Sequence, residues 1–310
     1  MGVVTGSPRR IAAVDWGTSS LRVALMTSEG GMLDQIQSSS GAGSLRPDKF
    51  KGVLYSLLEP WMHELGDSLA VYVCGMAGAR QGWQEVPYVN CPAREVDLAD
   101  GVSVVRGSKI VANLIPGVMR SRTGALPDVM RGEETQLLGM GISEQGAVIL
   151  PGTHSKWAVV ANGEIVDFQT FMTGDLYAAL SEHTILKQFM RVDDEYVESA
   201  FARGVELARE SAGDMMRILF SVRASVLLGK LAPEGGGSFL SGLLIGCEVL
   251  SGDRALGAIG RYSVVGSQQL MSRYSTAGTL LGIEINPGPE DAAFQGCFRI
   301  ARLRARLSLD

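Results

Sequence analysis

Three short stretches of this chain carry residue types whose spacing could handle a phosphorylated ligand. The first is Asp15-Trp16-Gly17-Thr18-Ser19-Ser20-Leu21-Arg22, a D-x-G-[ST]-x-x-x-[KR] pattern between two apolar runs. Gly17 would let backbone approach a phosphate closely, and the hydroxyls and amides of Thr18 and Ser19 can donate to its oxygens. Asp15 is the acid expected to organise a hydrated Mg²⁺, an ion that prefers one or two carboxylates together with waters and phosphate oxygens. Arg22 could reach a substrate or a phosphate. The second stretch, Gly152-Thr153-His154-Ser155-Lys156, repeats this chemistry with one glycine, two hydroxyls and a cation. His154 would touch a phosphate there or serve a structural hydrogen bond. The third, Arg131-Gly132-Glu133-Glu134-Thr135-Gln136, puts two acids at a helix start. One could orient an attacking hydroxyl and take its proton, and the other complement the helix dipole. Consecutive helix residues point about 100° apart, so Glu133 and Glu134 cannot share the role equally. Spacing alone does not choose between them.

The elements around these stretches must hold them in place. Arg10–Met26 alternates as a strand on either side of the first turn, which predicts a hairpin. A short strand follows over Gly31–Gln37. Asp48–Leu65 has apolar residues at helical spacing, and Leu69–Cys74 is a buried strand running into Gly75-Met76-Ala77-Gly78. After a short helix, Glu133–Met140, the pattern recurs: Ala147–Leu150, the polar turn, Trp157–Val160, then Asn162-Gly163 turning into Ile165–Thr170. A strand–polar turn–strand unit at the head of each half predicts an internal duplication. Helical patterns cover Leu176–Met190, Glu195–Ala212, Met215–Leu228 and Phe239–Leu250, with Gly235-Gly236-Gly237 as a loop. Arg261–Val265 reads as a strand ending in Gly266-Ser267, and Asp291–Leu307 as the closing helix.

Composition excludes several classes. Hydrophobic residues at 46% and charged residues at 20% are globular values, and 310 residues suit two domains. A formal charge of -5 argues against a nucleic-acid or anionic-membrane partner. The basic residues Arg299, Arg302, Arg304 and Arg306 suit the end of a last helix. The four cysteines form no C-x-x-C pair and read as reduced core residues, and the three histidines have no zinc-binding spacing. No export signal or spanning segment is legible, so a cytoplasmic protein is expected. There is neither a G-x-x-x-x-G-K-[ST] loop nor a G-x-G-x-x-G after a strand.

Two phosphate-type hairpins heading two halves of one chain resemble the actin-like ATPase superfamily, which includes sugar kinases. That resemblance implies an α/β fold of two actin-like (ribonuclease H-like) domains, mixed sheets flanked by helices, with the active-site cleft between them. The expected domains are residues 1–131 and 132–290, the latter on the nucleotide side, with helix 291–310 packing back near the first. Gly266 and Ser267 fall where that superfamily binds adenosine, although an ordinary strand-to-helix turn would look the same. Ala292-Ala293-Phe294-Gln295-Gly296 opens the last helix with small residues, as in the superfamily's second interdomain helix. Glu134-Thr135 is similar to the Asp-Thr of hexokinase-like interdomain helices, which implies Glu134 as the base and Glu133 as the alternative.

Longer blocks are similar to one family, the 2-dehydro-3-deoxygalactonokinases. They are Val14-Asp15-Trp16-Gly17-Thr18, Gly75-Met76-Ala77-Gly78-Ala79-Arg80-Gln81-Gly82-Trp83, Met130-Arg131-Gly132-Glu133-Glu134-Thr135-Gln136-Leu137 and Pro151-Gly152-Thr153-His154-Ser155-Lys156-Trp157. Met172-Thr173-Gly174-Asp175-Leu176, Val222-Arg223-Ala224 and Leu240-Ser241-Gly242-Leu243-Leu244-Ile245-Gly246 extend the match. The resemblance implies transfer of the γ-phosphoryl of ATP, with Mg²⁺, to the 6-hydroxyl of 2-dehydro-3-deoxy-D-galactonate. Arg80 offers a fork for the carboxylate of such a substrate. Gln81, Trp83 and Asp175 are further candidate contacts, against structural readings for Trp83 and Asp175. The alternatives are a kinase of this fold for another sugar acid or sugar, and a regulator that binds nucleotide or sugar without turnover. A homodimer is compatible with the sequence.

Overall fold

The structure is a computed structural model that describes residues 10–65, 69–107, 110–121, 124, 126–189, 195–212 and 214–307. Along the chain lie β1 (Arg10–Trp16), β2 (Leu21–Thr27), β3 (Met32–Ser38), α1 (Phe50–Leu65), β4 (Leu69–Gly75), β5 (Val89–Asn90), β6 (Ala93–Arg94), α2 (Glu95–Asp100), β7 (Ser103–Arg106), β8 (Val111–Leu114), β9 (Val118–Arg120), β10 (Asp128–Met130) and α3 (Glu133–Gly139). The rest is β11 (Gln145–Leu150), β12 (Ser155–Ala161), β13 (Glu164–Phe171), α4 (Thr173–His183), α5 (Glu198–Glu210), α6 (Met215–Ile218), α7 (Ser221–Leu227), α8 (Gly236–Ala255), β14 (Arg261–Val264), α9 (Gln268–Leu281), β15 (Glu284–Pro287) and α10 (Ala292–Leu307).

One sheet has the order β3-β2-β1-β4-β8-β7. Its β1–β2 and β2–β3 pairs are antiparallel, whereas β1–β4 and β4–β8 are parallel. Another has the order β15-β14-β11-β12-β13-β6, with β11–β14 and β14–β15 parallel. The turns joining β11 to β12 and β12 to β13 are too short for a crossover, so those neighbours are antiparallel. The run β3-β2-β1-β4-β8 of the first sheet therefore matches the run β13-β12-β11-β14-β15 of the second, three antiparallel strands followed by two parallel ones, while the edge strands β7 and β6 differ. The duplication expected from the two polar turns is present as topology, and the fold is the actin-like one.

Packing explains the strands. Ala12, Ala13, Val14 and Trp16 of the central strand β1 are fully buried, as a strand covered on both faces requires. Helix α1 covers the sheet with Phe50, Leu54, Leu58 and Trp61, one helical stripe, and Phe50 lies 4.7 Å from the Trp16 ring. Helix α8 is buried along most of its length, and Gly204 of α5 packs with a would-be Cβ 2.7 Å from the Leu243 amide, so only glycine permits that crossing.

The chain divides into two compact units, residues 1–145, 160–167 and 291–310 in one, and 146–159 and 168–290 in the other. Residues 132–145, expected with the second domain, group with the first because α3 packs on α10. Gly139 faces the backbone of Ala292 and Gly296, and Gly296 faces the Thr135 carbonyl. The basic end of α10 is anchored in that unit, with Arg299 on Glu95 at 2.9 Å and Arg304 donating to the Ala99 carbonyl at 2.7 Å.

Several elements differ from expectation. Helix α9 and strand β15 were not legible as such, nor were the short strands β5 to β10. Helix α8 begins at Gly236, inside the expected glycine loop, and the expected Met215–Leu228 helix is two helices, α6 and α7. Helix α4 stops at His183 and continues as a 3₁₀ turn, Ile185–Phe189. Among the described residues no helix is long and apolar enough to cross a membrane.

Candidate active site

The register Asp15↔Arg22 and Trp16↔Leu21 leaves residues 17–20 as the first turn. Its carbonyls are taken from outside: Ala42 and Gly43 donate their N–H groups to Gly17 O and Thr18 O, each at 2.9 Å. A side chain on Gly41 would overlap Thr18 and Ser19, so glycine is needed for this segment to lie on the turn. Thr18 and Ser19 stay exposed. Because Arg22 is the cross-strand neighbour of Asp15, it donates Nη2 and Nε to Asp15 Oδ2 at 2.6 and 3.2 Å. Its guanidinium also lies 5.5 Å from the Phe294 ring centroid.

Two glycines bring the acids of α3 to the strand that leads into this turn. Gly75 has φ +86° and Gly132 φ +108°, conformations that side chains resist. A Cβ on Gly132 would sit 3.2 Å from Gly75 Cα, and one on Gly75 2.5 Å from the Trp16 carbonyl oxygen. The start of α3 thus abuts the end of β1. Glu134 is fully buried there. Its Oε2 accepts from the Gly132 N–H and its Oε1 from the Thr135 hydroxyl, both at 2.7 Å. Burial pushes this carboxyl up to about 7; the Thr135 bond opposes the shift and the charge of Glu133 adds to it. Glu133 is half-buried, with Oε2 accepting the Arg131 N–H at 3.1 Å.

The Cys74 thiol lies beside the first acid, with Sγ 3.9 Å from Asp15 Oδ1. Its hydrogen bond to Cys297 and its burial hold it well above the usual thiol value, and the charges of Asp15 and Glu134 add to this. Arg131 was not singled out by the sequence reading, yet it is buried. Its Nη2 donates to the Val86 carbonyl at 2.7 Å, and its guanidinium stacks 4.2 Å from the Tyr88 ring centroid. It thereby fixes the loop that carries Arg80, Gln81 and Trp83. In that loop Arg80 and Gln81 point to solvent, while Trp83 packs half-buried against the core of the first unit.

The second unit gathers the other expected residues. Gly152, Thr153 and His154 form the exposed turn between β11 and β12. Lys156 is buried, and its Nζ donates to the His154 carbonyl at 3.0 Å, which brings the cation back to the turn. The start of α4 lies directly on it: Asp175 N–H donates to Thr153 O at 3.0 Å, and His154 Nε2 is 3.0 Å from Asp175 Oδ2. Gly174 permits this, since a Cβ there would be 2.7 Å from Thr153 Cα. Gly266 lies against Pro151, and Ser267 caps α9 by accepting the Leu270 N–H at 3.4 Å. Thr173, Glu248 and Tyr274, missed as site residues, converge behind the turn. The available signal for Glu248 was one acid inside the apolar run Leu240–Leu250, a place where a carboxylate must find donors.

Among the described residues no group of three or more metal-ligating side chains forms a protein cage. Mg²⁺ held by one carboxylate through its waters does not need one. Asp15, partly exposed beside the hydroxyls of the first turn, has the donor chemistry for that. Within the first unit, an acid poised near neutrality beside a second acid has the chemistry for proton removal from a hydroxyl. Within the second, the glycine–hydroxyl turn with its returned cation has donors that suit a phosphate.

The fold and these two turns define the class, an actin-like phosphotransferase. Residues 15–300 match the sequence profile of the 2-keto-3-deoxy-galactonokinases. The chain is 36% identical over 288 residues to a Rhizobium meliloti (strain 1021) protein bearing the name 2-dehydro-3-deoxygalactonokinase DgoK1, covering 91% of this chain and 93% of that one. It is 33% identical to the 2-dehydro-3-deoxygalactonokinase of Escherichia coli (strain K12), over 94% of this chain and 96% of that one. A crystal structure from Sinorhizobium meliloti, described as a 2-dehydro-3-deoxygalactonokinase protein, superposes with a TM-score of 0.84 at 34% identity, covering 94% of this chain and 97% of that one. The chain belongs to the 2-keto-3-deoxy-galactonokinase family.

Proposed function

We propose that this protein is a cytoplasmic kinase that transfers the γ-phosphoryl group of ATP to the 6-hydroxyl of 2-dehydro-3-deoxy-D-galactonate. The names of its relatives support the substrate, and one observation carries the chemistry. Glu134, fully buried at the start of α3, has its carboxyl raised to about 7, where a general base operates at neutral pH. In this reading the acceptor oxygen attacks the γ-phosphorus, the bond to the β-phosphate oxygen breaks, and the hydroxyl proton passes to Glu134. Glu133 is the alternative base. Asp15 would organise Mg²⁺, which would neutralise phosphate charge as the bond breaks. Arg22 holds Asp15 in position at 2.6 Å.

Gly17, Thr18 and Ser19 would meet the phosphates from the first unit, and Gly152, Thr153, His154 and Lys156 from the second. Gly266 and Ser267 would lie at the adenosine. The exposed guanidinium of Arg80 suits the sugar-acid carboxylate, with Gln81 and Trp83 beside it. Asp175, held by His154, would be a further contact to the substrate.

Release of ADP across a panel of sugar acids tests the substrate, with 2-dehydro-3-deoxy-D-galactonate expected to give the highest kcat/KM. Asp15→Asn should keep the fold by circular dichroism and lower turnover by several orders of magnitude, since charge neutralisation and positioning are lost together. Near-normal turnover in that variant would remove Asp15 from the site.

A further inference from the structure

Behind the second turn lies a carboxylate that the proposed transfer does not use. Glu248 sits on α8 and is 3% exposed, in a place where an acid persists only if its hydrogen bonds are met. It accepts from Trp157 Nε1 at 2.8 Å and from the Tyr274 hydroxyl at 2.6 Å, and the Thr173 hydroxyl is a third donor. With the Tyr274 proton on Glu248, the Ser155 hydroxyl donates to the Tyr274 oxygen at 3.1 Å. All of these are neutral groups, and they come from three elements that each carry residues of the proposed site. Ser155 and Trp157 open β12 directly after Gly152–His154 and flank Lys156. Thr173 begins α4, just before Gly174 and Asp175. Tyr274 lies on α9, about two turns beyond Ser267. Alternation along β12 sends Ser155 and Trp157 to the face opposite Lys156. Glu248 therefore grips the strand from one side while Lys156 Nζ stays on the His154 carbonyl at 3.0 Å.

We propose that Glu248 is a positioning residue for the nucleotide's phosphates: by collecting donors from β12, α4 and α9, it sets the turn at residues 152–156 before the nucleotide arrives. The inference rests on reading that turn as a phosphate-binding element. A turn held in its binding geometry pays less ordering entropy when the ligand binds, so loosening the network should appear as weaker nucleotide binding. An apolar side chain at position 248 would leave the buried Trp157 and Tyr274 donors without their acceptor.

Steady-state kinetics and ADP–Mg²⁺ binding by calorimetry on the full chain separate this from a purely structural role. Glu248→Gln and Tyr274→Phe are expected to raise the KM for ATP and the Kd for ADP about five- to twenty-fold, with the sugar-acid KM within about two-fold of the parent. Val205→Ala, in the core of the same unit, should lower the melting temperature without moving the KM for ATP. If the network variants only lose melting temperature, as Val205→Ala does, the proposal is overturned. Should Glu248→Gln fail to fold, Tyr274→Phe removes one hydroxyl, keeps the ring and decides the same question. Lys156→Ala tests the underlying reading: if nucleotide affinity survives it, that reading fails and this inference with it. If Lys156→Ala weakens ATP while both network variants bind it normally, this inference alone fails.

Discussion

Two neighbouring acids, Glu133 and Glu134, show how position alone assigns chemistry to identical side chains. Glu134 is wrapped by the chain and accepts from Gly132 and Thr135, whereas Glu133 is half-buried and closes back on the Arg131 amide. Burial lifts the Glu134 carboxyl from its ordinary 4.5 to about 7, so the folded protein binds a proton there that the unfolded chain has released. That contribution to stability is fully present below about pH 4.5 and is lost as pH rises through 7, at a cost on the order of 3 kcal/mol. Without ligands, Glu134→Gln should flatten this limb in urea denaturation and leave the variant more stable than its parent at pH 8. Activity should move the other way. In the parent, kcat/KM should rise with pH through about 7, as the base ionises, and then level off. Glu134→Gln should lower turnover about 10²- to 10⁴-fold and abolish that limb. Glu133→Gln should cost no more than about 1 kcal/mol of helix stability and leave most of the activity. Reversed phenotypes in a pH-rate comparison would transfer the role to Glu133.

At the scale of elements, the crossing of α3 and α10 rests on the absence of side chains. Gly296 lies against the Thr135 carbonyl, and a Cβ there would also stand 2.8 Å from Thr135 Cγ2. Gly52 of α1 has nothing within 4 Å of a would-be Cβ. The same substitution should therefore act with opposite sign at the two sites. Gly52→Ala should stabilise by about 0.5–1 kcal/mol through helix propensity. Gly296→Ala should destabilise by about 1–3 kcal/mol, because overpacking outweighs the propensity gain, and it should slow turnover by displacing the helix that carries Glu134. Denaturant melts of both variants provide the comparison. The role of small residues in the last helix was legible from Ala292-Ala293-Phe294-Gln295-Gly296. That Gly139 packs on the backbone of Ala292 and Gly296 was not legible, because a strip of sequence does not reveal which residues lie opposite.

For the whole molecule, the five-strand run that the two sheets share gives each unit a polar turn at the same topological place. If both turns hold the nucleotide's phosphates, a non-hydrolysable ATP analogue with Mg²⁺ should slow amide exchange at residues 17–20 as well as at 152–156. The sugar acid alone should protect the loop around residues 80–83. Hydrogen exchange followed over minutes to hours reads such local openings segment by segment. Protection limited to one turn would remove the other from the nucleotide reading.

What the sequence by itself determined is local. The two turns, the strands on either side of them and the acids at a helix start were legible because glycine placement, hydroxyls and two-residue alternation act over a few neighbours. Their recurrence a half-chain apart announced the duplicated topology, and longer blocks such as Met130–Leu137 pointed to the family. Tertiary structure alone decided which of two adjacent acids is enclosed, that Arg22 holds Asp15, and that Glu248 and Tyr274 meet beneath the second turn. Helix α9 shows the same limit: it bears a Ser267 cap and a left-handed Gly282 at its end, yet its polar surface hides the stripe formed by Met271, Tyr274 and Ala277. Burial and long-range hydrogen bonds depend on elements far apart in the chain, and no spacing rule carries that information until they have packed.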